Sequence, residues 1–476
     1  MIRETKYNLI PDFVLEQYEG GNYCGRFQSI ALFMDISGFT KMAQSFLRQE
    51  KEGVEELAAI INKIFDPIIT IIERQGGFVA TFAGDAITVL FPGSDESTAL
   101  ATCQTALQIR QIILQQGQYE TPAGQYHLAV KQGLSAGEIE WGILGTESHK
   151  TYYFRGMGIE RSTMAESRSK AGDIVIEESL FNLLSQTEFE YKKIEEGFHT
   201  LKYSNSLELI NQPKPANNYP RTLTEQFFST DLWGFIGLGE FRHVATLFLS
   251  FNADLPHDQL KGLVTATVEL VDQYGGHFVE VDFGDKGGVI MLCFGAPKTH
   301  ENALQRALEF SISLSLKLRD LNCEWGVGIA NGQVYAGMIG TRLRAKYGVM
   351  GSSVNLAARL MSKAQQGQIL VAESVSHQSG YRFNPIDPLN LKGFDSPVPA
   401  FVLAGILEDG PAEIKNYDDQ LFVGRKAEQR QLLDFAQPVL DDRSAGIITI
   451  YGEPGIGKSV LANRFVAQFQ EGVSWQ

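Results

Sequence analysis

Apolar residues along the chain recur in two rhythms. Runs such as SIALFMDI from Ser29 and AITVLF from Ala86 are short and strand-like, whereas VEELAAIINKIFDPIITIIERQ, from Val54, spaces its apolar positions as a helix does. Strand and helix patterns alternate within each half of the chain, which predicts an α+β fold, an α/β sandwich. The most apolar stretch, from Ala58 to Ile72, contains Asn62, Lys63 and Asp66 and is too short to span a bilayer. The first residues, MIRETKYNLIPDF, lack the basic start and apolar core of a signal peptide. A cytoplasmic protein without a membrane partner is expected.

The pattern also repeats. GLSAGEIEWGILGT from Gly133 returns as GIANGQVYAGMIGT from Gly328, 195 residues later. The same spacing carries Gly156 onto Gly351 and DIVIEES at Asp173 onto QILVAES at Gln368. Upstream, GGFVATFAGD ending at Asp85 matches GGHFVEVDFGD ending at Asp285, the spacing having grown to 200 residues. The chain is therefore divided into an N-terminal extension (1–25), a first domain (26–210), a linker (211–240) containing NQPKPANNYP, a second domain (241–407), a further linker (408–420) and a last region (421–476).

Composition narrows the partners. With 476 residues, 44% of them hydrophobic and 20% charged, the chain is long enough for two to four globular domains. A net charge of −15 argues against a nucleic-acid partner, because binding a polyphosphate backbone requires clustered Lys and Arg. A free nucleotide needs only two metal ions and a few fixed donors. Four cysteines, Cys24, Cys103, Cys293 and Cys323, are too far apart for a metal site and too few for a disulfide framework.

In the first half, ALFMDISGFT sets Asp35 at the end of a hydrophobic strand, ahead of a small-residue turn and a helix expected to begin near Gly38. A turn of this kind offers backbone N–H groups to phosphate while a carboxylate holds a cation. Asp85 falls in the Gly-containing turn of a hairpin, GGFVATFAGDAITVLF. Two aspartates on adjacent strand ends can bridge two Mg²⁺ or Mn²⁺ ions. Either taken alone is equally a turn residue or a helix cap.

Together, FMDISGFT and FAGDA resemble the two metal-binding motifs of class III adenylyl and guanylyl cyclases. Their order and spacing are most similar to the soluble, bicarbonate-responsive adenylyl cyclase family, which joins two cyclase domains to a long C-terminal region carrying an NTPase. The resemblance covers most of the chain from Arg26 to Leu407. It implies two ferredoxin-like cyclase homology domains packed as a pseudo-symmetric head-to-tail pair. It also implies two Mg²⁺ or Mn²⁺ ions held by Asp35, Ile36 and Asp85, and a triphosphate site at Gly38, Phe39 and Thr40. Lys131 and Lys392 resemble the family's triphosphate-binding basic residues; each is equally a solvated surface lysine.

In the second half, GVMGSSVNLAARLM, from Gly348 to Met361, reads as a loop entering a helix, with Asn355 and Arg359 spaced to face the same way. VNLAAR matches the family's transition-state motif, which implies that Asn355 orients the ribose and Arg359 neutralises charge on the reacting phosphate. The repeat places Glu160 and Met164 at the equivalent positions of the first domain, and Ser250 at the equivalent of Asp35. Of two composite clefts, one is expected to hold Asp35, Asp85, Asn355 and Arg359, and the other neither kind of group. The implied reaction is attack of the ribose 3′-hydroxyl on the α-phosphate with expulsion of pyrophosphate.

Base choice is carried by Glu280 and Gly348, which stand where adenylyl cyclases of this type have a Lys and an Asp or Thr. An ionised carboxylate only accepts hydrogen bonds, and guanine offers N1–H and an amine on one edge, so GTP is expected over ATP. The alternatives are an adenylate cyclase with atypical base contacts and a non-catalytic nucleotide sensor regulating a downstream NTPase. The family's bicarbonate-binding Lys and Arg align with Thr81 and Thr163, so activation by that anion is not implied. Finally, GEPGIGKS follows the strand-like IITIY, and its Gly452, Gly457, Lys458 and Ser459 fit a phosphate-binding loop at the start of a truncated NTPase domain.

Overall fold

The computed structural model describes residues 7–46, 50–84, 86–121, 124–184, 189–204, 221–228, 232, 239–284, 287–320, 323–394, 396–407, 425–440, 446–451, 458, 461–462 and 465. The proposed linker from Asn211 to Pro220 lies outside them. The chain divides into two compact units. The first takes in both repeated domains; the second comprises Ser379–Tyr381 and Ile406–Gln476.

The first domain runs α1 (Asp12–Glu19), β1 (Cys24–Ser37), α2 (Phe39–Phe46), α3 (Glu50–Arg74), β2 (Phe78–Ala83), β3 (Ala86–Pro92), α4 (Glu96–Gln116), β4 (Ala129–Gly145), β5 (Lys150–Arg155), α5 (Met157–Ser167), β6 (Ile174–Glu177), β7 (Phe189–Glu195) and β8 (Phe198–Ser204). Its eight-stranded sheet has the order β2-β3-β1-β4-β6-β8-β7, with β5 paired to β4. The strands from β1 to β4 and the helices between them form the ferredoxin-like βαββαβ unit. In α3 the apolar residues Leu57, Ile61, Ile64, Phe65, Ile68 and Ile72 recur every three or four positions and are all buried in one core. The segment expected to be an extension is packed: Val14 and Leu15 of α1 are fully buried with Ala31, Ile139 and Phe154.

The second domain repeats the scheme with β9 (Glu240–Phe251), α6 (His257–Tyr274), β10 (His277–Gly284), β11 (Gly287–Phe294), α7 (Ala303–Asp320), β12 (Trp325–Gly340), β13 (Ala345–Met350), α8 (Ser352–Met361), β14 (Gln368–Ala372), β15 (Tyr381–Leu389) and β16 (Val398–Ile406). The sheet order is β10-β11-β9-β12-β14-β16-β15, with β13 on β12. The registers agree with the repeat. Asp35 sits opposite Lys131, and Ser250 opposite Gly326, the residue 195 positions beyond Lys131.

The glycines that reveal the repeat have a steric cause. A Cβ on Gly133 would run into the carbonyl of Ser162 in α5, and one on Gly328 into the carbonyl of Ala357 in α8. Each helix lies directly on its strand, so only glycine fits. The two domains share a core: Tyr335, Ile339 and Met350 pack in the cluster that contains Phe39, Phe65 and Phe82. At the seam, Arg344 is 2% exposed. Its guanidinium donates to the carbonyls of Val79 (3.2 Å), Leu9 (2.7 Å) and Ala345 (2.6 Å) and to the hydroxyl of Tyr152 (2.6 Å). One side chain thereby ties β2, β5 and the N-terminal segment to β13.

In the second unit, α9 (Lys426–Leu440) buries Leu432 and Ala436. Among the described residues, no helix is long and apolar enough to cross a membrane.

Candidate active site

The first domain contributes the end of β1. Asp35 is half-buried, Ile36 is fully buried, and the chain turns at Gly38, whose φ of +92° is in the region that favours glycine. Helix α2 then begins at Phe39, so the N–H groups of its first turn have no acceptors within the helix, an arrangement that suits an anion. Phe39 is buried against Phe65 and anchors that turn. Thr40 is the second residue of α2, and its side chain lies outside the described residues.

Burial pushes the Asp35 carboxyl above its ordinary range, while the charges of Lys131 and Lys392 pull it down. Lys131 faces Asp35 across the β1–β4 ladder, with its ammonium 3.7 Å from Glu166. Lys392 belongs to the second domain, in the turn after β15, so the field at Asp35 is built from both domains. Ala86 is the register partner of Asp35 on β3, and the residue before it in the sequence is Asp85. Asp85 itself lies outside the described residues.

Asp35 receives no hydrogen bond or ion pair among the described residues. A half-buried carboxylate with no donor and an elevated pKa is one that a cation would stabilise, so the position fits a divalent-metal ligand. Among the described residues, no group of three or more His, Cys, Asp and Glu is placed to hold a metal.

The second domain contributes α8. Asn355 is exposed and Arg359 half-buried, one turn apart, and neither side chain is engaged by a partner among the described residues. Phe39, Ala43 and Gly84 of the first domain and Val349, Gly351 and Asn355 of the second line one small cavity of about 30 Å³. Start of α2, tip of the β2–β3 hairpin and start of α8 therefore meet.

Glu280 on β10 and Lys346 on β13 form an ion pair at 2.6 Å, with side chains 15% and 13% exposed. Lys346 also donates to the carbonyl of Phe82 in the first domain, at 2.8 Å. Gly348 lies two residues along β13 and so on the same face as Lys346. Lys346 was not among the sequence candidates. Its only signal was that spacing before Gly348, which has meaning once β13 is known to be a strand. The Glu280–Lys346 pair lines a cavity of about 60 Å³ distinct from the one at Asn355. The candidate residues thus fall into three adjoining groups, around Asp35, around Asn355 and around Glu280, linked through β1–α2 and β13–α8.

At the symmetry-related place, Met164 is 46% exposed on α5, Glu160 is exposed, and the hydroxyl of Ser250 donates to the carbonyl of Gly326 at 3.2 Å. Thr163 donates to its own helix, at the carbonyl of Ile159. Of the phosphate-loop candidates, Gly452, Gly457 and Ser459 lie outside the described residues, and Lys458 is described as a helical residue.

A ferredoxin-like pair with an acidic strand end in one domain and an Asn/Arg helix in the other has the architecture of a class III nucleotide cyclase. Residues 23–202 and 253–405 match the family described as the adenylate and guanylate cyclase catalytic domain, and the chain belongs to that family. Residues 421–475 match the AAA ATPase domain. Adenylate cyclase type 10 of Rattus norvegicus is 23% identical over 501 residues, covering 91% of this chain and 30% of the relative. The Homo sapiens protein of the same name is 23% identical over 503 residues, with the same coverage. The chain thus spans about a third of the length of these relatives. A solved class III adenylyl cyclase-like ATP-binding protein from Pseudomonas aeruginosa shares the fold, with a TM-score of 0.52 at 12% identity over 74% of this chain and 85% of that one.

The raised carboxyl of Asp35 has a consequence for stability. A carboxylate whose folded pKa lies above its unfolded value destabilises the fold once pH exceeds that unfolded value. Asp35→Asn is therefore expected to unfold at a higher temperature than wild type at neutral pH without divalent metal, and to lose any stabilisation by Mn²⁺. A lower melting temperature, or undiminished Mn²⁺ stabilisation, would contradict the reading of Asp35.

Proposed function

We propose that the chain is a nucleotide cyclase with one working active site, converting a purine nucleoside triphosphate, GTP in preference to ATP, into the 3′,5′-cyclic nucleotide and pyrophosphate. The observation that carries this reading is the sharing of groups across the seam. Lys392 of the second domain acts on Asp35 of the first, and Phe39 of the first shares a cavity with Asn355 of the second.

Asp35, Asp85 and the backbone of Ile36 would hold two Mg²⁺ or Mn²⁺ ions, whose chemistry when bound is activation of a hydroxyl and neutralisation of phosphate charge. The N–H groups at Gly38, Phe39 and Thr40 receive the triphosphate, with Lys131 and Lys392 balancing its charge. Asn355 orients the ribose so that its 3′-oxygen bonds to the α-phosphorus as the bond to the pyrophosphate oxygen breaks. Arg359 meets the negative charge that builds on the α-phosphate in that step. Catalysis is then positioning and charge stabilisation, without a covalent protein intermediate.

Base preference rests on the Glu280–Lys346 pair. Lys346 pairs with one side of the Glu280 carboxylate and leaves its outer lone pairs to accept from guanine N1–H and the exocyclic amine. Adenine would oppose its N1 lone pair to the carboxylate, at a cost of about 1–3 kcal/mol. The same pair favours a second reading, adenylate cyclase. If Lys346 turns its remaining donor to adenine N1, Glu280 accepts from the adenine amine. A non-catalytic nucleotide sensor is the remaining alternative, and a chain that binds nucleotide but forms no cyclic product would establish it.

Arg359→Ala is expected to lower kcat about 100-fold with KM within a few-fold, the signature of a group used at the transition state. An unchanged kcat would remove Arg359 from the site. For the base, wild type is expected to show kcat/KM for GTP above that for ATP by about 10-fold or more. Glu280→Lys alone would set two lysines together, so the cleaner variant is the charge swap Glu280→Lys with Lys346→Glu. It should move the GTP/ATP ratio toward ATP by at least about 10-fold. An unchanged ratio in the swap would show that this pair does not read the base, and a wild type that prefers ATP would establish the second reading.

A further inference from the structure

The cleft that lacks metal and transition-state groups is not open. The repeat sets Tyr153 where the second domain has Gly348, and Arg155 where it has Met350, each 195 residues apart. Tyr153 is fully buried. Its ring lies 5.5 Å from that of Phe283 in the second domain, and its hydroxyl donates to Glu140 at 2.9 Å and meets His257 Nδ1, at the start of α6, at 3.1 Å. Where the working cleft has a glycine packed under Ile339, this one carries a phenol.

Arg155 completes the filling. One guanidinium nitrogen donates to the carbonyls of Ala253 (2.9 Å) and Leu255 (2.8 Å), and Nε donates to Glu140 at 2.9 Å. The guanidinium also pairs with Glu140 through its remaining nitrogen and lies 5.4 Å from the Tyr153 ring and 5.5 Å from that of Phe283. Counting from Ser250 as the counterpart of Asp35, Ala253 and Leu255 are the counterparts of Gly38 and Thr40. The turn that offers N–H groups in one cleft offers carbonyls in the other, and those carbonyls are bound by a cation from the opposite domain. Although burial pushes the Glu140 carboxyl up, hydrogen bonds from Tyr153 and Arg155 hold it below its ordinary value, so it stays an anion for Arg155.

Phe283 and Glu280 lie on the same strand, β10, which packs against β5. One of the Arg155 contacts, Phe283, and the carboxylate proposed to read the base therefore share one short strand.

We propose that the second cleft is occupied by the protein itself, with Arg155 as a positioning residue that clasps the turn after β9 to the first domain and thereby sets β10 and Glu280 in the working cleft. No exogenous small molecule is needed there for the two domains to close. The proposal rests on the single working cleft described above.

The test uses the full chain with Mn²⁺ and its better nucleotide, in wild type, Arg155→Ala and Arg155→Lys. Arg155→Ala should lower kcat by about 10-fold or more, since misplacement of the reacting groups by about 1 Å has that scale of effect. Millimolar methylguanidinium should restore at least half of the loss in Arg155→Ala while leaving wild type unchanged. Arg155→Lys, which keeps the charge but not the planar fork, should fall between the two. Hydrogen exchange of residues 252–256 should accelerate in Arg155→Ala and slow again with methylguanidinium. Full activity in Arg155→Ala, a loss that methylguanidinium does not reverse, or unchanged exchange at 252–256 would each overturn the clasp. If Arg155→Ala does not fold, wild-type kcat in Arg155→Lys overturns it. A wild type that makes no cyclic nucleotide would defeat the cyclase reading instead, and the exchange measurement would then decide the clasp alone.

Discussion

The groups proposed for the reaction are divided between the two repeated domains, so the proposed site depends on the seam between them being held. The seam is held by polar groups buried at fixed geometry as much as by apolar packing. The Arg344 guanidinium, almost without solvent, satisfies backbone acceptors of β2, of the N-terminal segment and of β13 at once. A side chain with five donors in a rigid fork can do this and a lysine cannot. Removing it would leave buried carbonyls unpaired, a cost several times that of an ordinary surface change. Two residues further on, Lys346 donates to Phe82 of the opposite domain and pairs with Glu280, so the same strand that closes the seam presents the pair proposed to read the base.

Gene duplication leaves two clefts, and the two have taken opposite routes. At one, glycines stand where the backbone is closely approached: Gly38 makes the turn beside the carbonyl of His127, and Gly348 packs against Ile339 next to Lys346. At the other, Tyr153 and Arg155 fill the equivalent space and join the domains. In that cleft Ser250, Glu160 and Met164 stand where the proposed site has Asp35, Asn355 and Arg359. Asn355, Arg359 and a partly desolvated Asp35, without a hydrogen-bond partner among the described residues, are the reverse case.

Much of this was legible in the sequence because backbone geometry imposes it. The paired glycines Gly133 and Gly328 are required by helices lying on their strands, and they exposed both the repeat and the alignment of Asp35 with Ser250 that the sheet registers reproduce. The α+β class followed from the alternation of strands and helices, and the ferredoxin-like order from the resemblance carried by FMDISGFT and FAGDA. What the sequence did not reveal are contacts between side chains distant along the chain. Lys346 reads as one of many lysines until β10 and β13 are side by side, and Arg155 as a strand-end charge until the turn at Ala253 is placed against it. The packing of the N-terminal segment was likewise not legible, because α1 is short, although Val14 and Leu15 are fully buried.

The most direct measurement of the central claim, one working site built from both domains, is a crystal structure of the full chain with a non-cyclisable GTP analogue and Mn²⁺. The account predicts one nucleotide at the two cyclase domains, its α-phosphate between Asp35 and Arg359 and its guanine against Glu280, with Arg155 still bound to the turn at Ala253. Nucleotide in the cleft filled by Tyr153 and Arg155, or in both clefts, would contradict it.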